Sequence, residues 1–432
     1  MTNASGIEEC RRTGARLAEA RESHAAWTLQ PISERLRFVR NLRHLIAENA
    51  FELASATAAV SERPLAEKLV SEVLPLADAC RWLDRQGARV LAPRRCGKRG
   101  RPFWMRGVTF EVQRQPFGVV LVIGAGNYPL FLPAVQALHA LAAGNAVLLK
   151  PAPRTFGVAS AFAELVRSAT LGRGLLGVLQ ESVESARAAI AGGVDKVIFT
   201  GSSENGREVL GRLAADNTPA VMELSGEDAM LVLEDADLDL VSRALYFGMR
   251  WNGGNTCIAP RRVIVVEPVA DELIGRLSTA GVTPLPVERV PDESAAVLCA
   301  NAARFALGLS IFSRNVAKAY ALAARIKSGF VLINDLIVPT ADPRMPFGGV
   351  KASGFGVTRG DEGLLEMTFP HVVAVRRGQW RPHFDEFAAD AAQLFSSYIL
   401  AAHGKGRRRM GAFGNLARAV LRNRSRNRKA IT

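Results

Sequence analysis

Cysteine is scarce in this 432-residue chain. The five cysteines, Cys10, Cys80, Cys96, Cys257 and Cys299, follow no zinc-binding spacing, and an odd number argues against a pure disulfide framework. In a reducing compartment most would be small buried hydrophobes. Long apolar runs are missing too. No stretch reaches the ~20 uncharged residues of a membrane-spanning helix. Residues 1–29 carry scattered Glu and Arg and no continuous apolar segment, so they do not read as a secretory signal, and the expected location is the cytoplasm. No internal repeat is present. Acid is absent from one end: residues 404–432 hold ten Lys or Arg and no Asp or Glu. The net charge of +14 is therefore concentrated in a tail, and attraction to anions belongs mainly there.

What is present is an ordinary globular composition, 48% hydrophobic and 22% charged, long enough for two or three domains. The first hundred residues read as helices, over 32–59 and again over 65–83, followed by a basic loop over 93–101. Val108, Phe110 and Val112 alternate with polar residues and predict a half-buried strand. From Gly118 the pattern changes. Gly118-Val-Val-Leu-Val-Ile-Gly124 is continuously apolar, the mark of a strand buried on both faces. Strand and helix then alternate to about residue 267, which predicts an α/β protein with a mostly parallel sheet. Between 268 and 296 the signal weakens among Pro284, Pro286 and Pro291. Beyond Pro382 lies an appended segment.

Oxidising an aldehyde needs a nucleophile, donors for the oxyanion, a hydride acceptor and a base for the releasing water. Each has a candidate. Cys257 lies in Trp251-Asn-Gly-Gly-Asn-Thr-Cys-Ile-Ala-Pro260, after a predicted helix and a Gly-Gly loop, where a thiol can face a cleft. Taken alone, such a cysteine is more often a packing residue. Glu223 ends the apolar strand Ala220-Val-Met-Glu223, where desolvation raises a carboxyl pKa towards that of a general base; a solvent-facing strand-end Glu is the plainer reading. Asn127 follows a strand and two small residues, so its amide can face an oxyanion or close an Asx turn. Phe199-Thr-Gly-Ser-Ser-Glu-Asn-Gly206 reads as strand, turn and helix start, where backbone amides about Gly201, Ser202 and Gly206 can hold a pyrophosphate or simply cap the helix. Lys150 ends a strand at the carboxyl edge of the presumed sheet, where ligands bind in open α/β folds, so its ammonium can hold ribose hydroxyls or a phosphate or simply face solvent.

These elements, in this order, resemble the aldehyde dehydrogenase superfamily over residues 32–377. Gly126-Asn-Tyr-Pro129 is similar to its oxyanion loop, and Gly144-Asn-Ala-Val-Leu-Leu-Lys-Pro151 to its cofactor-ribose strand. Phe199 to Gly206 resembles its pyrophosphate turn, Glu223-Leu-Ser-Gly226 its general-base motif and Pro346-Phe-Gly-Gly-Val-Lys-Ala-Ser-Gly354 its C-terminal signature; Cys257 stands 34 residues after Glu223, the family spacing. The resemblance implies an α/β fold with a Rossmann-type nucleotide-binding domain (1–107 and 118–226), a truncated α/β catalytic domain (227–350), a small β oligomerisation arm (108–117 and 351–380) and a basic tail (381–432). It implies NAD or NADP as cofactor, an aldehyde substrate, no catalytic metal and a homodimer or homotetramer. Cys257 would attack the aldehyde, Asn127 and the Cys257 N–H would hold the oxyanion, and Glu223 would activate the deacylating water. A hydrolytic product is expected rather than a CoA thioester, whose makers generally lack this Glu.

Three departures stand out. Pro153, followed by Arg154, occupies the position of a ribose-binding Glu, so NADP is expected to be tolerated or preferred, with Lys150 or Arg154 as phosphate partner. Asn255 replaces a common Gln. The stretch from Cys257 to Asn301 is short and lacks the Glu-x-Phe-Gly-Pro element that holds the nicotinamide ribose, which makes a catalytically impaired scaffold or binding protein the alternative reading. In the tail, Phe413, Leu416, Val420 and Leu421 share one helical face among arginines. An amphipathic helix on an anionic membrane surface, with a lipophilic aldehyde as substrate, is one reading; a solvated basic tail is another, and nucleic-acid binding has only the charge behind it.

Overall fold

The computed structural model describes residues 4–172, 174–279, 285–379 and 381–429, apart from the side chains of 4, 5, 279, 382 and 419–429. The chain divides into two compact units, Met1–Cys96 with Phe110–Val373, and Gly97–Thr109 with Ala374–Thr432.

The first unit is built on two sheets. One runs Gly354–Phe355, Ala220–Glu223, Lys196–Thr200, Val119–Ile123, Ala146–Lys150, Leu176–Val178. Its strands are parallel except Gly354–Phe355, which pairs antiparallel with the end of Ala220–Glu223. The continuous apolar strands follow from burial on both faces. Val120 and Val122 enter one core with the helices Ile32–Glu48, Leu74–Val90, Phe131–Ala143 and Phe156–Ala169. Val119, Leu121 and Ile123 enter another core, which includes Leu17 and Ala20 of Ala4–Trp27 and Ala189 of Val183–Ala191. Two opposed hydrophobic faces leave no polar position in the strand. Val119–Ile123 has a sequence-earlier crossover on one side and a later one on the other. Its carboxyl end is therefore the switch point at which open α/β sheets bind ligands.

The second sheet runs Val287–Val290, Arg262–Val266, Ala229–Val232, Leu309–Phe312, Leu332–Ile333, all parallel. Met230 and Val232 face one core, Ala229 and Leu231 the other. The weak signal after residue 267 conceals order: Glu267–Thr279 is a helix, Val287–Val290 a strand and Glu293–Ala302 a helix. Pro268 sits in the first turn, where the missing N–H costs nothing, and Pro286 and Pro291 flank the strand rather than interrupt it. Pro284 lies outside the described residues. The expected loop over 93–101 also differs: Arg94–Cys96 pairs antiparallel with Phe110 to Val112. Arg94–Cys96, Val108–Pro116 and Thr368–Arg376 form a three-stranded sheet.

In the second unit Ala391–His403 and Gly406–Lys429 are helices, and the Arg409 Nε donates to the Ala401 carbonyl at 3.0 Å. Phe413 is exposed, while the side chains of Val420 and Leu421 lie outside the described residues. Among the described residues no helix is long and apolar enough to cross a membrane.

Candidate active site

Four strand ends converge at the switch point: Ile123, Lys150, Thr200 and Glu223. The loop after Ile123 carries Asn127 and is fixed from below by a carboxylate that the sequence reading missed. Glu72, fully buried, accepts from the N–H groups of Leu130 (3.1 Å) and Phe131 (2.8 Å) through Oε2, and pairs with the Arg63 Nη2 at 2.6 Å through Oε1. The carboxylate thus caps the helix Phe131–Ala143, where free N–H groups and the helix dipole both favour an anion. Arg63 in turn lies over the Tyr128 ring, 5.3 Å from its centre. Glu72 belongs to a π-helical turn, Leu69–Val73, inside what the sequence reads as regular helix.

Asn127 is joined to the loop that bears Cys257. Its Nδ2 donates to the Asn255 carbonyl at 3.0 Å, and its own carbonyl accepts from the Asn252 Nδ2 at 2.9 Å. The Tyr128 hydroxyl meets the Thr256 Oγ1 at 2.7 Å, one residue from the thiol. Asn252 and Gly253 adopt left-handed backbone, φ 54° and 57°, which turns the chain sharply after the helix Leu238–Arg250. Asn and Gly are the residues that tolerate that conformation.

Cys257 is half-buried and opens on a cavity of about 320 Å³. The wall is mainly apolar, with Val70, Leu74, Phe131, Leu132, Ile337 and Val338 among its residues. Burial pushes the thiol up to about 12, with the charges of Asp228 and Glu223 adding to the rise and that of Arg359 opposing it. Glu223 lines neither this cavity nor the one described below. It is 3% exposed, accepts from the Thr358 hydroxyl through Oε1 and lies 3.5 Å from the Thr200 Oγ1 through Oε2. Burial raises its carboxyl, against the Thr358 hydrogen bond, the Arg359 charge and Thr200. Gln136 donates to the Thr200 hydroxyl at 3.0 Å. Glu223 is held in place because Gly354 packs directly on its strand. A Cβ on Gly354 would meet the Met222 carbonyl at 1.8 Å, and φ there is +109°.

Two further features escaped the sequence reading. Thr358 follows the C-terminal signature and bridges back to Phe347. Arg359, 3% exposed, lines the same cavity as Cys257. Its backbone, φ 62° and ψ 169°, lies in a region almost reserved for glycine and costs about 1–3 kcal/mol.

A second, more polar cavity of about 1080 Å³ is lined by Gly126, Asn127, Arg154, Arg250 and Asn255. Lys150, Gly201, Ser202 and Gly206 line neither cavity. Ser202 caps the helix Ser203–Leu213, its hydroxyl accepting from the Asn205 N–H at 3.2 Å. A Cβ on Gly206 would meet Leu224 at 2.5 Å, so glycine lets the helix start approach the strand ends closely. Lys150 is buried, which lowers its ammonium, and the charge of Glu181 counters that. Glu181 accepts from the N–H groups of Arg154 (2.8 Å) and Phe156 (2.6 Å). A carboxylate therefore stands beside Lys150 although Pro153 supplies none.

A family-wide sequence model described as the aldehyde dehydrogenase family matches residues 9–283 and 282–373, two segments that meet inside the shortened stretch. The chain is 27% identical to a 4,4'-diapolycopene aldehyde oxidase of a Methylomonas species, over 90% of this chain and 87% of that protein. It is 29% identical to a putative succinate-semialdehyde dehydrogenase [NADP(+)] 2 of Mycobacterium ulcerans, covering 84% of each. The crystal structure of an NAD-dependent aldehyde dehydrogenase from Sinorhizobium meliloti superposes with a TM-score of 0.80 at 26% identity, covering 87% of this chain and 89% of that one.

Proposed function

The chain belongs to the aldehyde dehydrogenase family, and from that premise we propose that it oxidises an apolar aldehyde to the carboxylic acid with NAD or NADP, through a thioester on Cys257. The observation that carries this reading is the cavity itself: one thiol opens on an apolar chamber, and the Asn127 amide is bonded to the loop that bears that thiol.

In this reading the Cys257 sulfur bonds the carbonyl carbon and the carbonyl oxygen becomes an oxyanion. Asn127 has spent one amide hydrogen on Asn255 and keeps a second, which with the Cys257 N–H stabilises that oxygen. A bound nicotinamide, held through the Ser202 turn and Lys150, would supply the acceptor for the hydride of that carbon. Water then attacks the thioester, Glu223 takes its proton, and the thiolate departs with the acid released. Burial raises the Glu223 carboxyl towards the range useful to a base at neutral pH, and the Thr358 and Thr200 hydroxyls orient it.

The residues present fit a dinucleotide. The capped helix start at Ser202, packed close through Gly206, suits a pyrophosphate, and Lys150 suits ribose hydroxyls. Arg154 and Lys150 favour a 2′-phosphate and Glu181 opposes one, so titration with both cofactors decides between them. The nucleotide-binding part is assigned to 1–107 and 118–226, the catalytic part to 227–350, and the dimer or tetramer contact to the three-stranded sheet. A lipophilic substrate is supported by the cavity wall and by the name of the Methylomonas relative. The membrane role of the tail rests on its charge and on the sequence pattern that gives Phe413, Leu416, Val420 and Leu421 one helical face; liposome flotation of the full chain against one ending at Pro382 tests it, and equal flotation removes it.

The deciding experiment follows NAD(P)H absorbance with a panel of aldehydes. Cys257→Ala should abolish turnover. Glu223→Gln should retain a single burst of about one equivalent per site and lose steady-state turnover by ~100-fold or more. Folded wild-type protein with no turnover on any pair would favour the impaired scaffold.

A further inference from the structure

The reaction as proposed leaves unused a buried cation in the wall of the thiol's cavity. Arg359 is held on three sides. Its Nη1 donates to the Thr340 carbonyl, and its guanidinium carbon lies 4.5 Å from the centre of the Phe347 ring and 5.6 Å from that of Phe131. Its Nε is buried without a partner among the described residues. The backbone accepts a glycine-like conformation to put it there, and such outliers persist where the surrounding structure over-determines them. The preceding residue, Thr358, is the one bonded to Glu223.

The titratable and charged groups that face this region are few. Glu223 and Cys257 interact with Arg359 favourably. Asp228 acts on Cys257 in the opposite sense, and burial raises its own carboxyl well above the ordinary range. Tyr128 is kept protonated by burial, and His139 is kept neutral by burial, with the Arg359 charge adding to the effect. Asp78 lies on the cavity wall. Arg63, the cation over Tyr128, is already paired with Glu72.

A low-dielectric chamber favours the neutral thiol, yet the thiolate is the nucleophile. Guanidinium remains charged where an ammonium would lose its proton. We infer that Arg359 is the electrostatic positioning residue of the nucleophile site, a cation fixed in the wall of the aldehyde cavity that holds negative charge on Cys257 and on Glu223. The inference rests on the reading of Cys257 as nucleophile.

The test reads the thiol directly. Full-length wild type, Arg359→Met and Arg359→Lys are alkylated with iodoacetamide across a pH series, and modification of the Cys257 peptide is followed by mass spectrometry, with the exposed Cys10 as internal reference. In Arg359→Met the Cys257 profile should move up by about one pH unit or more, a ~10-fold slower reaction at a fixed pH on its rising limb. Arg359→Lys should recover at most part of that rate, because a buried ammonium sheds its proton as pH rises, and Cys10 should not change. If Arg359→Met does not fold, Arg359→Gln, which keeps a donor for the Thr340 carbonyl, carries the same expectation. A folded neutral variant whose Cys257 profile overlays the wild type overturns the inference. A wild-type Cys257 that resists alkylation at every pH while Cys10 reacts overturns the nucleophile reading itself.

Discussion

Acid should destabilise this protein through a histidine far from any solvent. His139 lies in the helix Phe131–Ala143, 1% exposed, its ring stacked on Trp82 at 5.8 Å and its Nδ1 paired with the Val135 carbonyl at 2.8 Å. Nε2 is buried without a partner among the described residues, so a second proton has nowhere to bond. Burial, with the Arg359 charge adding, lowers the imidazole from 6.5 to about 4, against the Val135 hydrogen bond. A group depressed in the folded state contributes stability above its unfolded pKa and loses it as pH falls towards the folded value. The gap of about 2.5 pH units is worth about 3 kcal/mol in full, of which about 2 kcal/mol is gone near pH 5. His139→Phe keeps a ring on Trp82 and removes the titration. Urea unfolding near pH 7 and near pH 5 should therefore show the wild type losing about 2 kcal/mol more than the variant between the two conditions. Equal losses in both proteins would refute the assignment of a neutral, desolvated His139.

Two further outcomes follow from the same packing. Glu72→Ala leaves the Arg63 guanidinium and two helix N–H groups unpaired in the interior, and should lower stability by about 3–5 kcal/mol, read as a fall in the urea midpoint. A homologous series of straight-chain aldehydes should gain about 0.8 kcal/mol per methylene, roughly fourfold in kcat/KM, until the 320 Å³ cavity is filled. A flat series would show that the apolar wall does not take the chain.

The sheets were readable because burial on both faces leaves its mark in every residue of a strand, as from Val119 to Ile123. The motif residues were readable because their order along the chain is itself information. Asn127 is bonded to Asn252 and Asn255, in the loop that precedes Cys257, and Glu223 lies buried at its strand end. The strand Ala229–Val232 was not distinguished, and Glu267–Thr279 was hidden by a proline whose position in the first turn makes it harmless. Glu72, Thr358 and Arg359 carry no local signal at all. A glutamate inside a helical pattern reads as surface until a second helix brings its N-terminus onto it. An arginine after a glycine-rich signature reads as solvated until Phe131, Phe347 and Thr340 enclose it. The carboxylate missing at Pro153 was noticed, but its replacement from Glu181, across a neighbouring strand end, depends on sheet order that no linear spacing reports.

Several of the bonds that hold the site together are long in sequence. Glu223 and Thr358 are 135 positions apart, Asn127 and Asn255 128, and Ser225 and Ser353, which joins the Gly354 strand to the base loop, also 128. Contacts of that span form only after large loops close, and they slow folding. The sheet built around Val119–Ile123 can reach its parallel pairing from residues 119–223 alone, while Glu223 still lacks its Thr358 partner and Arg359 is still outside. On the proposed reading, competence is therefore expected late in folding. On that reading, a partly folded molecule that has gathered its helices and its sheet would hold a thiol with no cation beside it, and would be chemically quiet towards the aldehydes around it.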